Sequence, residues 1–567
     1  MDKNAKIGII GALSVLLIII IVVATTIVGK LTPSKEVKQL SDYYQVPEGE
    51  ALVIMDDVKY EKYAKVIDGV YYMDLETIQS NFNKRFYFDF NENVLINTTP
   101  TEVIKAEVGS KDYSINKNKV TTPYTIVKRD IDDIYVALDF VAQYSDMRFK
   151  TFQNPDIVMI ESKWGEYLYA TVKSATQIRT GTSIKSEILK QVAEGDQLMI
   201  INNGGSMENG FICVMSEDGV RGYAQKKALS DTFYQEVAST YEAPVYTNLS
   251  KDYTINLTWH QVTVPEANKN VSAMLEATKG VTTISPTWFR VNSQEGTLSS
   301  LASESYVDYC HSRNIEVWGL VDNFDPNVDI HQVLSRTSTR EKLVNEIIAQ
   351  AIKYDLDGIN IDFESLKTET GPHYVQFLRE LSVKCRSNQI VLSVDNYVPA
   401  NYNKFYDYKE QGAIVDYVVI MAYDEYHGAS EEAGSVSSIN YFTNAINDTK
   451  SLVPAEKIII GVPFYTRLWK ESTELGEKKL TSEALGMAAA EQVLAKNNVE
   501  AKKDESTGQD YAEFQKEDTF YKIWLENEES VNARMKLIYD AKVAGVASWR
   551  LGFEKASIWD IILKYVN

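Results

Sequence analysis

The run Asp357 Gly358 Ile359 Asn360 Ile361 Asp362 Phe363 Glu364 sets two carboxylates and an amide two residues apart within an otherwise apolar stretch. Side chains of a strand alternate between faces, so Asn360, Asp362 and Glu364 share one side while Ile359, Ile361 and Phe363 share the other. Two acids confined in apolar surroundings cannot both ionise cheaply, and one is driven to keep its proton toward neutral pH. A protonated carboxyl beside an ionised one is the equipment of a general acid. A solvated acidic loop at a strand end is the plainer alternative, and the flanking apolar alternation with Gly358 speaks against it.

These positions must be held by a scaffold. From about Thr254 the pattern alternates strand and helix, as an α/β barrel requires. Eight candidate strands run Ile255 to Trp259, Val281 to Pro286, Glu316 to Leu320, Gly358 to Glu364, Ile390 to Val394, Tyr417 to Ala422, Ile458 to Val462 and Gly545 to Trp549. Active sites of such barrels lie at the carboxyl ends of the strands. Polar or aromatic residues gather there: Trp259 and His260, Trp288, Asp322 and Asn323, Glu364, Asn396 and Tyr397, Tyr423 and Asp424, Tyr465 and Arg467, Trp549 and Arg550. The coincidence across strands weighs more than any single residue.

The acidic run resembles the DxxDxDxE segment on the fourth barrel strand of glycoside hydrolase family 18, which contains chitinases, N-acetylglucosaminidases and spore-cortex or peptidoglycan-associated glucosaminidases. Asp357, Asn360, Asp362 and Glu364 fill its positions, with Glu364 where the family keeps its proton donor. Asn360 departs from the commonest form, which has Asp there. An amide cannot exchange a proton with Asp362, so the departure bears on the pH profile more than on activity. Met421 Ala422 Tyr423 Asp424 matches the family's MxYD on the sixth strand, and Gly461 to Arg467 resembles its GxPxYGR on the seventh, with Thr466 in place of Gly. Trp549 stands where the family has the aromatic floor under the reacting sugar. The gap from Leu468 to about Tyr521 fits the small α+β insertion that some members carry, giving an insertion at about 468–521. The third strand lacks the SxGG common in chitinases, which leaves substrate choice open.

What the resemblance implies is a retaining hydrolase in which the substrate's own 2-acetamido group acts as nucleophile. Glu364 would protonate the glycosidic oxygen and later activate water. Asp362 would orient the acetamido group and stabilise the oxazolinium, and Tyr423 would donate to its carbonyl oxygen. Asp357, Asn360 and Asp424 would support this set, while Trp549, Tyr465, Arg467, Tyr397, Trp259 and Trp288 would bind substrate. No HExxH, GxSxG elbow or phosphate-cradling Gly loop occurs, and neither metal nor cofactor is expected. A catalytically silent glycan-binding lectin or scaffold is the alternative class; family lectins usually lose the acid at the position of Glu364, so its presence favours the enzyme.

The rest of the chain sets the context. With 567 residues and 44% hydrophobic content it is globular and has room for several domains besides a barrel of roughly 250 residues. A net charge of -21 argues against nucleic acid or an anionic membrane surface as partner. Cys213, Cys310 and Cys385 are too few and too scattered for a disulfide framework or a metal knuckle. Residues 7–29 carry no charge and are long enough to span a bilayer core of roughly 30 Å. A single-pass signal anchor is expected, with residues 1–6 cytoplasmic, all that follows extracellular, and a monomeric protein. The abundance of Lys, Asn, Ile and Tyr suggests a low-GC Gram-positive cell.

Between anchor and barrel, Val70 to Ile96 recurs about 63 residues later as Ile134 to Ile160, each copy with a short helix before paired strands. Residues 30–165 resemble the N-terminal repeat domain of copper amine oxidase type, without copper, since no histidine falls between residues 31 and 165. Residues 168–231 resemble a bacterial SH3-like barrel, and 245–567 form the expected catalytic barrel. The fold class is therefore multidomain: a TIM (β/α)8 barrel with an α+β insertion, preceded by a small β-barrel, an α+β repeat domain and one transmembrane helix. The glycan partner is expected to be N-acetylated, either peptidoglycan or a chitooligosaccharide.

Overall fold

The computed structural model describes residues 2–201, 209–474 and 477–566. They form two compact units. One comprises residues 1–86, 106–113 and 119–243, and the other residues 87–105, 114–118 and 244–567.

The second unit is built around a closed parallel barrel. Its strands are β1 (Ile255–His260), β2 (Thr283–Pro286), β3 (Glu316–Asp322), β4 (Gly358–Asp362), β5 (Val391–Asn396), β6 (Tyr417–Met421), β7 (Ile458–Pro463) and β8 (Gly545–Trp549). Each pairs in parallel with its neighbour, and β1 closes on β8 through Ile255↔Gly545 to Thr258↔Ser548. All eight expected strands are present. β4 stops short of its expected end: it ends at Asp362, and Glu364 follows on the loop.

Both faces of a barrel strand are covered, which is why these segments read as near-continuous apolar runs. Ile359, Ile361 and Phe363 turn outward into a core shared with Leu343 and Ile347 of helix Thr337–Lys353 and Phe377 and Leu381 of helix Gly371–Ser387. Leu257, Trp318, Leu320, Tyr417, Val419 and Ile459 fill the interior, with Trp318 stacked on Tyr417 at 5.6 Å. Gly358 makes room for that stack, because a Cβ there would lie 2.6 Å from the Trp318 ring. After β7 the chain forms the hairpin Tyr465–Glu474 and Glu477–Gly486, helix Met487–Asn497 and strands Lys502–Asp504, Gln509–Lys516 and Thr519–Leu525. These elements lie between β7 and β8 and begin a few residues before 468.

The barrel unit also recruits a hairpin from far upstream, Tyr87–Asp89 paired with Val94–Thr98. Asp89 is buried and its Oδ2 accepts from the Thr337 N–H at 2.6 Å, while Glu92 accepts from Ser338 N–H at 2.9 Å. Helix Thr337–Lys353 has Arg at its own N-cap position and no side-chain cap of its own. The hairpin carboxylates satisfy those orphan donors and complement the helix dipole. Tyr87 OH meets His373 Nδ1 at 2.7 Å, and Gln376 donates to Thr98 Oγ1 at 3.1 Å.

Each repeat copy is a β-hairpin, a short helix and a second β-hairpin. Leu75–Asn81 follows strand Val70–Asp74, with Asp74 accepting from Thr77 N–H at 3.0 Å, and Leu138–Gln143 follows strand Asp133–Ala137. The copies diverge afterward: hairpin 87–98 joins the barrel unit, whereas Arg148–Phe152 and Ile157–Glu161 pair with each other and, through the latter, with Glu50–Met55 in parallel. Residues 165–237 form a seven-stranded antiparallel sheet with its own core around Ile178, Leu198, Val214 and Ala224. Helix Lys3–Leu31 is 29 residues long with a peak mean hydropathy of 3.2, long and apolar enough to cross a membrane.

Candidate active site

A cavity of about 190 Å³ opens at the carboxyl ends of the barrel strands. Asp362 and Glu364 enter it from β4 and its loop, and Asp395 and Tyr397 from β5 and its loop. Tyr423 and Asp424 come from the end of β6 and Trp549 from β8. Trp259 of β1, Met421 of β6 and Phe324 beyond β3 complete the lining.

The row on β4 points inward along its length. Asn360 is wholly buried, and its Oδ1 accepts from Trp259 Nε1 at 3.0 Å and Ser285 Oγ at 3.1 Å. Its amide nitrogen donates to Ser393 Oγ at 3.0 Å and Asp395 Oδ1 at 2.8 Å. The indole N–H can only donate, so the orientation of the amide is determined. Asp362 is 6% exposed, and its Oδ1 has no hydrogen-bond partner. Burial drives its pKa well above the carboxylate range, and the charges of Asp395, Glu364 and Asp322 push the same way.

Glu364 is fastened at both ends. Its backbone N–H donates to Asn323 Oδ1 at 2.9 Å and its carbonyl accepts from Asn323 Nδ2 at 3.0 Å. Its Oε2 accepts from Tyr397 OH at 2.7 Å. Burial raises the Glu364 pKa; the Tyr397 hydrogen bond opposes this, while Asp424 and Asp322 add to it. Among the described residues, no cation stands with the groups that shift Asp362, Glu364 or Asp395.

Around the carboxyls lie aromatic and phenolic groups. Trp549 tilts over Trp259 with ring centroids 5.9 Å apart. Tyr423 packs edge-on against Tyr465, whose OH donates to Asp424 Oδ1 at 2.5 Å. Burial keeps Tyr423 protonated, as a donor. Among the described residues no cluster of His, Cys, Asp and Glu is arranged to hold a metal ion.

Four residues expected at the site stand elsewhere. Trp288 is 1% exposed, packs against Tyr306 and donates to Asn268 Oδ1 at 2.8 Å; it is core, because its indole turns toward the helical layer. Asp357 sits at the opposite end of β4, where it accepts from Val317 N–H at 2.8 Å and meets His311 Nε2 at 2.8 Å. A strand rises roughly 3.3 Å per residue, so a residue seven places before Glu364 cannot reach the same mouth. Arg467 donates to Ser482 Oγ in the insertion hairpin at 3.1 Å and lies outside the lining. Tyr465 also stays behind the wall, with its hydroxyl on Asp424. In the other direction, Asp395, Met421 and Phe324 line the cavity unannounced. Asp395 carried a signal, since it shares strand parity with Ser393 and Tyr397; Phe324 follows the strand in a loop where no periodicity applies.

The family model for glycosyl hydrolases family 18 matches residues 237–554, more than half of the chain. The chain belongs to glycosyl hydrolases family 18. An uncharacterized glycosylase of Bacillus subtilis is 26% identical over 298 residues, 48% of this chain and 81% of that protein. The cortical fragment-lytic enzyme of Bacillus anthracis is 27% identical over 252 residues, 43% of this chain and 58% of that protein. The match thus spans little more than half the length of the latter. Among solved structures, the Bacillus cereus spore cortex-lytic enzyme superposes with a TM-score of 0.50 at 21% identity, covering 58% of this chain and 78% of that chain, a likeness of fold. Within the family 18 barrel, the acids of the fourth strand lie at the mouth of the cavity just described.

Proposed function

We propose that the protein is a membrane-anchored extracellular hydrolase that cleaves β-linked N-acetylglucosamine glycans, peptidoglycan or a chitin-like polymer, with retention and with the substrate's acetamido group as nucleophile. The observation that carries this reading is the pair of buried Asp362 and partly buried Glu364, together beside Trp549 with no cation among the described residues to neutralise them. Glu364, held protonated by burial, donates to the glycosidic oxygen as the acetamido oxygen attacks the anomeric carbon. Asp362, whose free Oδ1 faces no protein donor, receives the acetamido N–H and offsets the oxazolinium charge. Tyr423 donates to the acetamido oxygen, and Trp549 stacks on the pyranose. Glu364 then takes a proton from water, which opens the oxazolinium from the same face.

Asp424, held by Tyr465, positions Tyr423, and Asp357 steadies the far end of β3 and β4. The apolar helix Lys3–Leu31 serves as the anchor, which places both preceding modules, an SH3-like barrel at 168–231 and a copper-amine-oxidase-N-like repeat at 30–165, between membrane and wall. Incubation of residues 31–567 with N-acetylated muropeptide glycans and chitooligosaccharides, alongside Glu364→Gln, tests this. New reducing ends from the native protein alone support the enzyme, and binding without cleavage by either supports a lectin. Equal turnover of a de-N-acetylated substrate would refute the acetamido mechanism.

A further inference from the structure

One buried acid of the cavity has no task in the mechanism above. Asp395 is 3% exposed and lies on the strand next to Asp362. The β4–β5 register pairs Asn360 with Ser393 and Ile361 with Val394. One step further along, Asp362 and Asp395 come opposite each other on the same inward face, on strands spaced roughly 4.8 Å apart. The Asn360 amide holds Asp395 Oδ1 at 2.8 Å, while Asp362 Oδ1 is buried and unpartnered.

We propose that Asp395 and Asp362 form a proton-sharing carboxyl pair, in which Asp395 takes the proton that Asp362 must release before it can hold the acetamido group as an anion. This rests on the glycosidase reading. The pair carries one proton and one negative charge throughout: the proton moves from Asp362 to Asp395 as the acetamido N–H docks, and returns when the oxazolinium has been hydrolysed. The position that holds Asp in the commonest form of the motif is here the amide Asn360, so the second carboxyl is supplied from the neighbouring strand instead.

The charges around the pair agree. Asp395 is pushed up to about 8 by burial, against hydrogen bonding from Asn360 and Trp259, with Glu364 adding to the rise. After burial, Asp395 is the largest influence on Asp362, ahead of Glu364 and Asp322. Tyr423 of β6 and Tyr374 of the helix behind β4 also feel both acids, and their burial keeps them neutral. A carboxyl pair that shares a proton loses the first one more readily, and the second less readily, than a lone carboxyl in the same setting.

The test uses the full-length protein in detergent. In kcat/KM against pH, Asp395→Asn is expected to move the acid limb upward by roughly one unit, because the charge on Asp362 is no longer shared. The exchange Asn360→Asp with Asp395→Asn returns a carboxyl to the pair and is expected to move the limb back. A merely structural role would give neither the displacement nor the rescue. Independently of turnover, the thermal midpoint of Asp395→Asn relative to native should rise with pH between about 4 and 8, since the folded native protein keeps a proton that the unfolded chain releases. An acid limb unmoved in Asp395→Asn, or a midpoint difference that is flat with pH, overturns the proposal. If Asp395→Asn does not fold, the exchanged variant decides: a native acid limb upholds the pair, and a displaced one overturns it. Failure of the glycosidase reading shows differently, as native protein that cleaves no glycan while the pH-dependent midpoint difference persists.

Discussion

Two sets of buried carboxylates in the barrel unit are treated in opposite ways. In the helical shell, Glu380 pairs with Arg340 at 3.0 Å, Glu410 with Arg379 at 2.9 Å and Glu526 with Arg534 at 2.6 Å, all with side chains nearly free of solvent. At the mouth of the barrel, Asp362 and Asp395 are as well buried and Glu364 is partly buried, and none of the three has a cationic partner among the described residues. A buried pair holds both charges in place, and removing one partner strands the other. Unpaired acids instead keep their protons, which makes them available to a substrate. On the proposed reading, the contrast separates carboxylates that fix the architecture from carboxylates that do chemistry.

The sharpest way to break this contrast is Glu364→Gln. It should not lower the thermal midpoint at neutral pH, since a carboxyl whose folded pKa is raised costs stability there, and it should lower kcat by roughly 10²–10⁴-fold, the usual worth of a general acid, measured as released reducing ends. Arg534→Leu should do the reverse, costing about 3–5 kcal/mol in denaturant unfolding by leaving Glu526 buried and alone, with turnover per folded molecule retained. Asp362→Asn should abolish turnover yet stabilise the fold by roughly 1–2 kcal/mol at pH 8. The sign follows from its raised pKa in the folded state: native stability is complete below the unfolded carboxyl value and falls as pH rises through the folded one. The gain should therefore vanish near pH 4, a trend that unfolding at several pH values would read.

The smallest expected effect belongs to Tyr397→Phe. Removing the phenol takes away the hydrogen bond that favours ionised Glu364, so its pKa rises further. Glu364 then stays protonated to higher pH, and the alkaline limb of kcat/KM should move upward by less than about one unit. A downward movement would show that Tyr397 acts on something other than the acid.

Most of the barrel was legible because a parallel strand covered on both faces leaves a near-continuous apolar run, as β6 (Tyr417–Met421) and β7 (Ile458–Pro463) show most plainly. The acids of β4 were legible because period-two alternation places Asn360 and Asp362 on the face opposite Ile359 and Ile361, and the structure keeps them so. What escaped depended on distance and direction. Asp395 and Asp362 lie thirty-three residues apart in sequence, and only the inter-strand register brings them opposite each other. Trp288 follows its strand as an active-site residue would, but a residue beyond a strand end has no periodicity to say which way it turns. Asp357 belongs to the motif in spacing, and the length of β4 itself carries it to the other end of the barrel.

Asp89 closes the amino end of a helix that begins 248 residues later in the chain. A fragment starting at the barrel's first strand would therefore bare two peptide N–H groups, of Thr337 and Ser338, and take the Tyr87 hydroxyl from the Arg340 guanidinium. The front of the molecule is not a detachable cassette: shuffling it onto another enzyme would carry away a plate of the catalytic cylinder's hull.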